Sequence, residues 1–157
     1  IRLDTSVRAL FDYSAQDGPD YSNHPVTPYW VDEQRSLLEL PVTSAYWGPL
    51  RGIGPVIHRV QRHTPTIFSG LSRFGLLERI ALTPEGVSAE EAMRGIDLSL
   101  DARLPVLVLS FHSPSLAPGH TPYAPDEAAV EALYGWFEAV YRHFAARGVR
   151  SCTIAGL

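Results

Sequence analysis

The chain has 157 residues, of which 45% are hydrophobic and 19% are charged. This composition predicts one globular domain, or most of a larger one, with a buried core. A formal net charge of −4 and the lack of any basic run argue against a nucleic-acid partner or an anionic membrane surface.

Residue content also argues against two other classes of protein. No apolar run approaches the roughly 20 residues needed to cross a bilayer, so no membrane span is expected. The single cysteine, Cys152, excludes an internal disulfide framework and a cysteine-based zinc site. Its apolar surroundings predict a packed thiol. Because the chain starts at Ile1 within a strand-like run, we expect further sequence upstream.

The first half of the chain alternates extended runs with loops and short helices. A loop rich in Asp, Gly, Pro, Ser and Asn is predicted over residues 11–28. Apolar spacing predicts a helix over about residues 49–62 and a shorter one at residues 69–77. Strands are predicted at residues 1–7, 27–31, 37–42 and 77–83.

A capping box predicts the next helix. Ser88 is followed three positions later by Glu91, so a helix should begin near Ala89. Its apolar face comprises Ala92, Met93, Ile96 and Leu100.

The clearest helix of the chain follows the apolar run at residues 104–110, which is itself predicted as a strand. Pro125 lies near the first helical position, Asp126 and Glu127 occupy the first turn, and Gly148 ends the helix. The apolar stripe comprises Val130, Leu133, Phe137, Val140, Tyr141 and Phe144. A last short strand is predicted at residues 149–157.

The alternation of apolar strands with helices predicts an α/β fold with parallel strands covered on both faces. Either an open doubly wound sheet or a closed barrel fits this pattern. No glycine-rich phosphate loop follows a strand, which disfavours nucleotide binding. In such folds the chemistry collects at the carboxyl ends of the strands, where His112 lies.

His112 is the strongest catalytic candidate. Three prolines, at positions 114, 118 and 122, stiffen the loop that follows it. Histidine is the side chain best suited to acid–base work near neutral pH. The alternative is a strand-end histidine that bonds to a backbone carbonyl. The catalytic interpretation requires an imidazole that is held rigidly and faces a shared cavity with carboxylates nearby.

Two strand carboxylates are candidates to accompany it. Glu39 either faces outward from its strand or points inward, in which case it needs an Arg or a protonated His as partner. Asp4 lies in or at the end of a strand, and the two acids could orient a histidine or a substrate hydroxyl.

Aromatic residues close to the polar loop are candidates for sugar binding. His24, Tyr29 and Trp30 lie together in the sequence, and aromatic faces stack on pyranose rings. The alternative for Trp30 is simple core packing.

Two apparent motifs are weaker. His58 and His63 would project roughly 140° apart on a helix, which makes them a poor metal pair. A serine hydrolase built on Ser113 or Ser115 lacks the G-x-S-x-G elbow.

Several segments together resemble the C-terminal half of bacterial polysaccharide deacetylases. They are "LDTSV", "DGPDYS", "PYW", "LLELPVT", "LSRFGLLERIALTPEG" and above all "LVLSFHSPSLAPGHTPY". The resemblance extends over nearly the whole chain. It implies the C-terminal portion of a distorted (β/α) barrel, and a hydrolase that removes acetyl groups from N- or O-acetylated glycans.

The resemblance also assigns roles to residues. The late Leu-x-x-His motif corresponds to Leu109–His112, which makes His112 the general acid. Asp4 falls near the acidic motif that orients this histidine, although the tryptophan expected beside it is absent. Beside these two roles, we expect substrate contacts from Glu39, Tyr29, Trp30 and Ser113.

The departures from the family pattern concern the metal. Neither the paired aspartates nor the H-x-x-x-H motif occurs in the chain, so no metal ligand is assigned to these residues. A divalent metal, most commonly zinc in this family, would take its ligands from upstream sequence. The partners implied are a carbohydrate substrate, together with an upstream half of the domain or a second copy of the chain. The alternative is a non-catalytic carbohydrate-binding or scaffold module on the same barrel.

Overall fold

In the described part of the chain, short strands form two small sheets, and none of these strands extends beyond Ala81. The computed structural model describes residues 2–61 and 70–154, apart from the side chains of residues 58–61. Within these residues the strands are β1 (Leu3–Asp4), β2 (Tyr29–Trp30), β3 (Leu38–Glu39), β4 (Ser44–Trp47) and β5 (Glu78–Ala81). Four of the five fall inside predicted extended runs, and β4 was not predicted.

The first sheet has the strand order β1–β3–β2. Strand β1 runs parallel to β3, whereas β2 is antiparallel to it. The register places Asp4 and Tyr29 on either side of Glu39. Residues paired directly across a sheet share one face, so these three side chains form a row.

The second sheet pairs β4 with β5 in antiparallel register, from Ser44 opposite Ala81 to Trp47 opposite Glu78. Ile80 and Ala81 of β5 are buried. Gly95 lies close to this strand, and a Cβ atom at position 95 would lie 2.9 Å from Cγ2 of Ile80, so a larger residue there would force a shift.

Residues 104–110 were predicted as a buried central strand, but no strand is assigned to them and they are half-buried for the most part. Their backbone is nevertheless bonded to neighbouring segments. The Thr43 N–H donates to the Val108 carbonyl, and the Ser110 N–H donates to the Leu82 carbonyl. These residues therefore lie beside the sheet segments without completing a ladder.

The described helices are α1 (Gly54–Gln61), α2 (Ala89–Asp101) and α3 (Glu127–Ala146). A 3₁₀ turn at Arg51–Ile53 precedes α1. Of the short helix predicted at residues 69–77, the described part is helical at residues 70–73. Residue 62, the predicted end of the first helix, and His63 lie outside the described residues.

Helix α2 begins where its capping box predicts. The Ser88 N–H donates to Oε2 of Glu91 at 2.7 Å, and the Glu91 N–H donates back to the Ser88 hydroxyl at 3.3 Å. Its buried face contains Ala92 and Ile96 as predicted, together with Ser99. Leu100 is half-buried.

The observed limits of helix α3 agree with the predicted limits to within one or two residues. Asp126 is the N-cap rather than a first-turn residue, and its side chain accepts the Ala129 N–H at 2.8 Å. Gly148, with a φ of 71°, follows the last turn. The buried stripe comprises Leu133, Trp136 and Val140, so Trp136 belongs to it and the 58%-exposed Tyr141 does not.

The chain divides into two compact units. The first contains Ile1–Leu82 and Arg94–Ser110, and the second contains Thr83–Met93 and Phe111–Leu157. Buried apolar residues of the first unit include Leu40, Leu77 and Ile80. In the second unit Trp136 is buried, and its Nε1–H donates to the Val87 carbonyl at 2.9 Å.

The described strand pairs are one parallel and two antiparallel, which differs from the uniformly parallel sheet expected. Sheets as small as these are not evidence against a portion of a (β/α) barrel. The last strand, predicted at residues 149–157, is not formed in residues 149–154, where Cys152 is exposed rather than packed. Residues 155–157 lie outside the described part.

Across residues 2–61 and 70–154, no helix combines the length and the apolar character that a membrane crossing requires. This agrees with the sequence, which contains no long apolar run.

Candidate active site

His112 stands at the start of a 3₁₀ helix, Ser113–Leu116, in the second unit. Its backbone is extended, with φ −85° and ψ 122°, and Pro114 restricts the backbone of the first helical turn. The side chain is 71% exposed. This exposure differs from the enclosed position that the catalytic interpretation of the sequence requires.

Glu85 holds His112 at two points. Its Oε2 lies 2.6 Å from Nδ1 of the imidazole, and its Oε1 accepts the backbone N–H of His112 at 2.9 Å. The Glu85 side chain is only 3% exposed. A buried carboxylate therefore fixes both the backbone and the ring of an otherwise exposed histidine.

A tight turn positions Glu85. Thr83 is buried and its Oγ1 accepts the Glu85 N–H at 3.2 Å, while Pro84 restricts the backbone between them. Gly86 then adopts a φ of 79°, which residues with a Cβ atom rarely tolerate. The sequence Thr-Pro-Glu-Gly thus turns the chain and directs the carboxylate inward.

The surroundings of Glu85 favour its charged form. Burial by itself raises the pKa of Glu85, but hydrogen bonds from the His112 backbone, the Ser115 hydroxyl and the His112 ring outweigh it. The pKa of this carboxyl is therefore below its ordinary value. At neutral pH the group is a carboxylate.

The ionised carboxylate determines which nitrogen of the His112 ring carries a proton. A carboxylate only accepts hydrogen bonds, so the 2.6 Å contact places a proton on Nδ1. Nε2 is then the ring nitrogen that can exchange a proton with a substrate. It accepts a proton when the ring is neutral and donates one when the ring is charged, which are the two functions of a general acid–base group.

Two hydroxyl groups lie behind the pair. Ser115 is fully buried, and its hydroxyl donates to Oε1 of Glu85 at 2.8 Å. The Ser115 and Thr121 hydroxyl oxygens are 3.0 Å apart. Ser113, by contrast, is exposed. Because Ser115 is buried and bonded to a carboxylate, its surroundings do not suit a nucleophile that must reach substrate.

The remaining predicted site residues lie in the first unit. The Asp4 carboxylate accepts hydrogen bonds from the Thr5 N–H at 2.8 Å and from the Ser6 hydroxyl at 3.0 Å. The resemblance assigns to Asp4 the orientation of His112, whereas the carboxylate on the imidazole is that of Glu85.

Glu39 points inward, the second of the two orientations considered. It is 2% exposed, and its Oε1 accepts the Val7 N–H at 3.2 Å, so its described hydrogen bond comes from the backbone rather than from a cation. The pKa of Glu39 is raised, chiefly because the side chain is buried. The charge of Asp4 raises this pKa further, whereas the Val7 N–H and His24 lower it.

Tyr29 and Trp30 occupy opposite faces of β2. The Tyr29 hydroxyl lies 2.8 Å from Nδ1 of His24. Burial, and then the charge of Glu39, raise the pKa of Tyr29. Trp30 is 46% exposed, so core packing is not its role. The structure therefore brings Asp4, Glu39 and Tyr29 into one row and leaves Trp30 outside that row.

Glu85 is the residue that the sequence analysis missed. The Thr-Pro-Glu-Gly segment entered that analysis only as part of a stretch that resembles the family. A carboxylate in a turn directly after an apolar strand was the available signal, because strand ends are where such folds place polar functional groups.

Comparisons with known proteins add no relative. No protein-family model, curated protein or solved structure matches the chain. In the described part of the chain, no three His, Cys, Asp or Glu side chains are arranged to hold a metal ion. The residues described do not by themselves fit the zinc site that the resemblance implies.

Proposed function

We propose that this chain contributes the general acid of a metal-dependent hydrolase that removes acetyl groups from an N- or O-acetylated glycan. The observation that carries the proposal is the His112–Glu85 pair, in which a buried carboxylate holds Nδ1 at 2.6 Å, while Nε2 has no hydrogen-bond partner among the described residues. The resemblance of the surrounding segment to polysaccharide deacetylases supplies the substrate class.

The pair suits the step in which the amide or ester bond breaks. Water adds to the acetyl carbonyl carbon, and the bond to the sugar nitrogen or oxygen then breaks as that atom takes a proton. The Nε2–H of the protonated His112 ring is the proposed donor, and the Glu85 carboxylate holds the ring by its Nδ1–H.

Activation of the water requires groups other than those described. In this family a divalent metal lowers the pKa of water and polarises the acetyl carbonyl. Its ligands and the base are proposed to come from an upstream half of the domain, because neither the paired aspartates nor the H-x-x-x-H motif occurs in this chain.

The proposal requires that the exposed His112 ring be shielded from water during the reaction. A proton donor acts most effectively where water is excluded, so the 71%-exposed ring must become covered when substrate or a further protein segment binds. Protection of His112 from a histidine-directed reagent by an N-acetylated chito-oligosaccharide would report this covering.

The decisive experiment is acetate release by the natural full-length gene product, with its metal, from N-acetylated chito-oligosaccharides. Replacing the proposed acid, His112→Ala, should lower kcat by about 10²-fold, as expected for a lost general acid. The matched control is His120→Ala, because His120 is an exposed histidine of the following loop. Its kcat should stay within about twofold of the wild-type value.

An unchanged kcat in His112→Ala removes this residue from the mechanism. Binding of the oligosaccharide by the wild-type protein without acetate release would instead favour the carbohydrate-binding module. Labelling of Ser113 or Ser115 by a serine-directed phosphonate would favour a serine hydrolase.

A further inference from the structure

The proline-rich loop after His112 turns back on itself within the second unit. The Gly119 N–H donates to the Ala124 carbonyl at 2.8 Å, and the Ala124 N–H donates to the Thr121 carbonyl at 3.2 Å. Ala124 is fully buried, and Gly119 has a φ of 79°. These bonds hold Thr121 at one place in the loop, with its hydroxyl 3.0 Å from that of Ser115.

The hydroxyl groups have one consistent order of donation. The Glu85 carboxylate accepts only, so the Ser115 hydroxyl donates to it. Ser115 has one proton to give, and the bond between the two hydroxyls must then run from Thr121 to Ser115. Proton donation therefore runs from Thr121 to Ser115 and from Ser115 to Glu85, which also receives the Nδ1–H of His112.

In this order of donation, the two oxygens of the Glu85 carboxylate accept hydrogen bonds from different donors. Oε1 accepts the Ser115 hydroxyl and the His112 backbone N–H, while Oε2 accepts the imidazole. Two donors on Oε1 stop the carboxylate from rotating about its terminal bond. The direction in which Oε2 meets Nδ1 is therefore determined by the Ser115 hydroxyl together with the His112 backbone N–H.

We infer that Ser115 and Thr121 are positioning residues for His112, and that the loop serves to supply the Thr121 hydroxyl to the Glu85 carboxylate through Ser115. The loop then acts on His112 from the protein side, rather than as a wall against substrate. Its effect on the protonation pattern of the ring does not depend on the proposed function, whereas its effect on catalysis rests on that function.

The test is ¹⁵N NMR of histidine-labelled protein, which distinguishes a proton on Nδ1 from one on Nε2. The chain has six histidines, so His112 is assigned by the signal missing from His112→Ala. In the wild-type protein at a pH where the ring is neutral, the Nδ1–H form should predominate. Ser115→Ala and Thr121→Val should each lower the ratio of the Nδ1–H to the Nε2–H form by about fivefold, the factor that one hydrogen bond is worth.

Two variants serve as controls. Thr121→Ser keeps the hydroxyl that Thr121→Val removes, and should restore the wild-type ratio to within about twofold. Ser151→Ala removes an exposed hydroxyl at the end of the second unit and should leave the ratio unchanged. Thr121→Val decides the question if the fully buried Ser115 does not tolerate replacement, because Thr121 is only half-buried.

Catalysis supplies a separate readout in the natural full-length gene product. Thr121→Val should lower kcat for acetate release by about fivefold without changing KM, and Thr121→Ser should recover it. An unchanged Nδ1–H ratio in folded Thr121→Val and Ser115→Ala overturns the inference. A changed ratio in a protein that releases no acetate from any glycan supports the inference and contradicts the proposed function.

Discussion

Glu85 and Glu39 are both buried carboxylates, yet their surroundings shift their pKa values in opposite directions. Burial raises the pKa of each, but Glu85 receives hydrogen bonds from His112 and Ser115 that outweigh it. Glu39 receives one described hydrogen bond, from the Val7 N–H, and also faces the charge of Asp4, so its pKa stays raised. The hydrogen-bond donors, rather than the depth of burial, account for the opposite directions of the two pKa shifts.

Glu85 should stabilise the fold at neutral pH and lose that effect in acid. Its folded-state pKa lies below the unfolded value of about 4.5, so its contribution is present above that pH. It is lost as the pH falls through the lower, folded-state pKa. Glu85→Gln should lower the free energy of unfolding at neutral pH by about 1–3 kcal/mol, because buried donors lose a charged acceptor.

Urea denaturation from neutral pH into the acid range checks this. The difference between wild type and Glu85→Gln should shrink as the pH falls, and a difference that stays constant would contradict the assignment. Glu131→Gln, at an exposed position of α3, is the control and should show neither effect.

Glu39 should give the opposite pH dependence. Its folded-state pKa is raised, so as the pH rises above about 4.5 the unfolded chain ionises first and wild-type stability falls until the folded-state pKa is passed. Glu39→Gln removes this loss while its amide oxygen still accepts the Val7 N–H. In the same denaturation series, the variant should therefore gain stability relative to wild type from pH 4.5 towards neutral pH. A relative loss over that interval would show that Glu39 is held by a cation.

Elements with local signals were predicted well. Helices α2 and α3 begin at side-chain caps on Ser88 and Asp126, and these caps involve residues three positions apart. The predicted stripe of α3 was less accurate, because period alone does not say which side of a helix another segment will cover. Trp136 is buried there, with its indole N–H bonded to Val87.

The backbone strain of the loop that contains Thr121 can be tested at Gly119. Gly119 has a φ of 79° and free space around its missing Cβ, with Pro125 O as the nearest atom at 3.9 Å. Gly119→Ala should therefore destabilise by about 1–2 kcal/mol through backbone strain alone. The matched Gly135→Ala lies in α3 with open space around it and should stabilise by about 0.5–1 kcal/mol. Equal effects of the two changes in thermal denaturation would argue against a strained loop.

At the scale of the whole molecule, strand pairing was the least predictable feature. The apolar run at residues 104–110 suggested a central strand, yet it bonds to Thr43 and Leu82 without forming a ladder. Strand β4 was missed, since its pairing with β5 depends on a segment more than thirty residues away in the sequence. Such pairings are decided by which segments meet across long distances, and no local pattern encodes them.

The sequence by itself determined the starts of α2 and α3 and the prominence of His112, because each depends on neighbouring residues. Only the tertiary structure decided that Glu85, 27 residues away, holds the imidazole. The Asp4 carboxylate accepts hydrogen bonds from its neighbours Thr5 and Ser6. No local pattern in the sequence links Glu85 to His112, because a contact between side chains 27 residues apart depends on how the chain folds. The 2.6 Å contact between the carboxylate and the imidazole was therefore visible only in the structure.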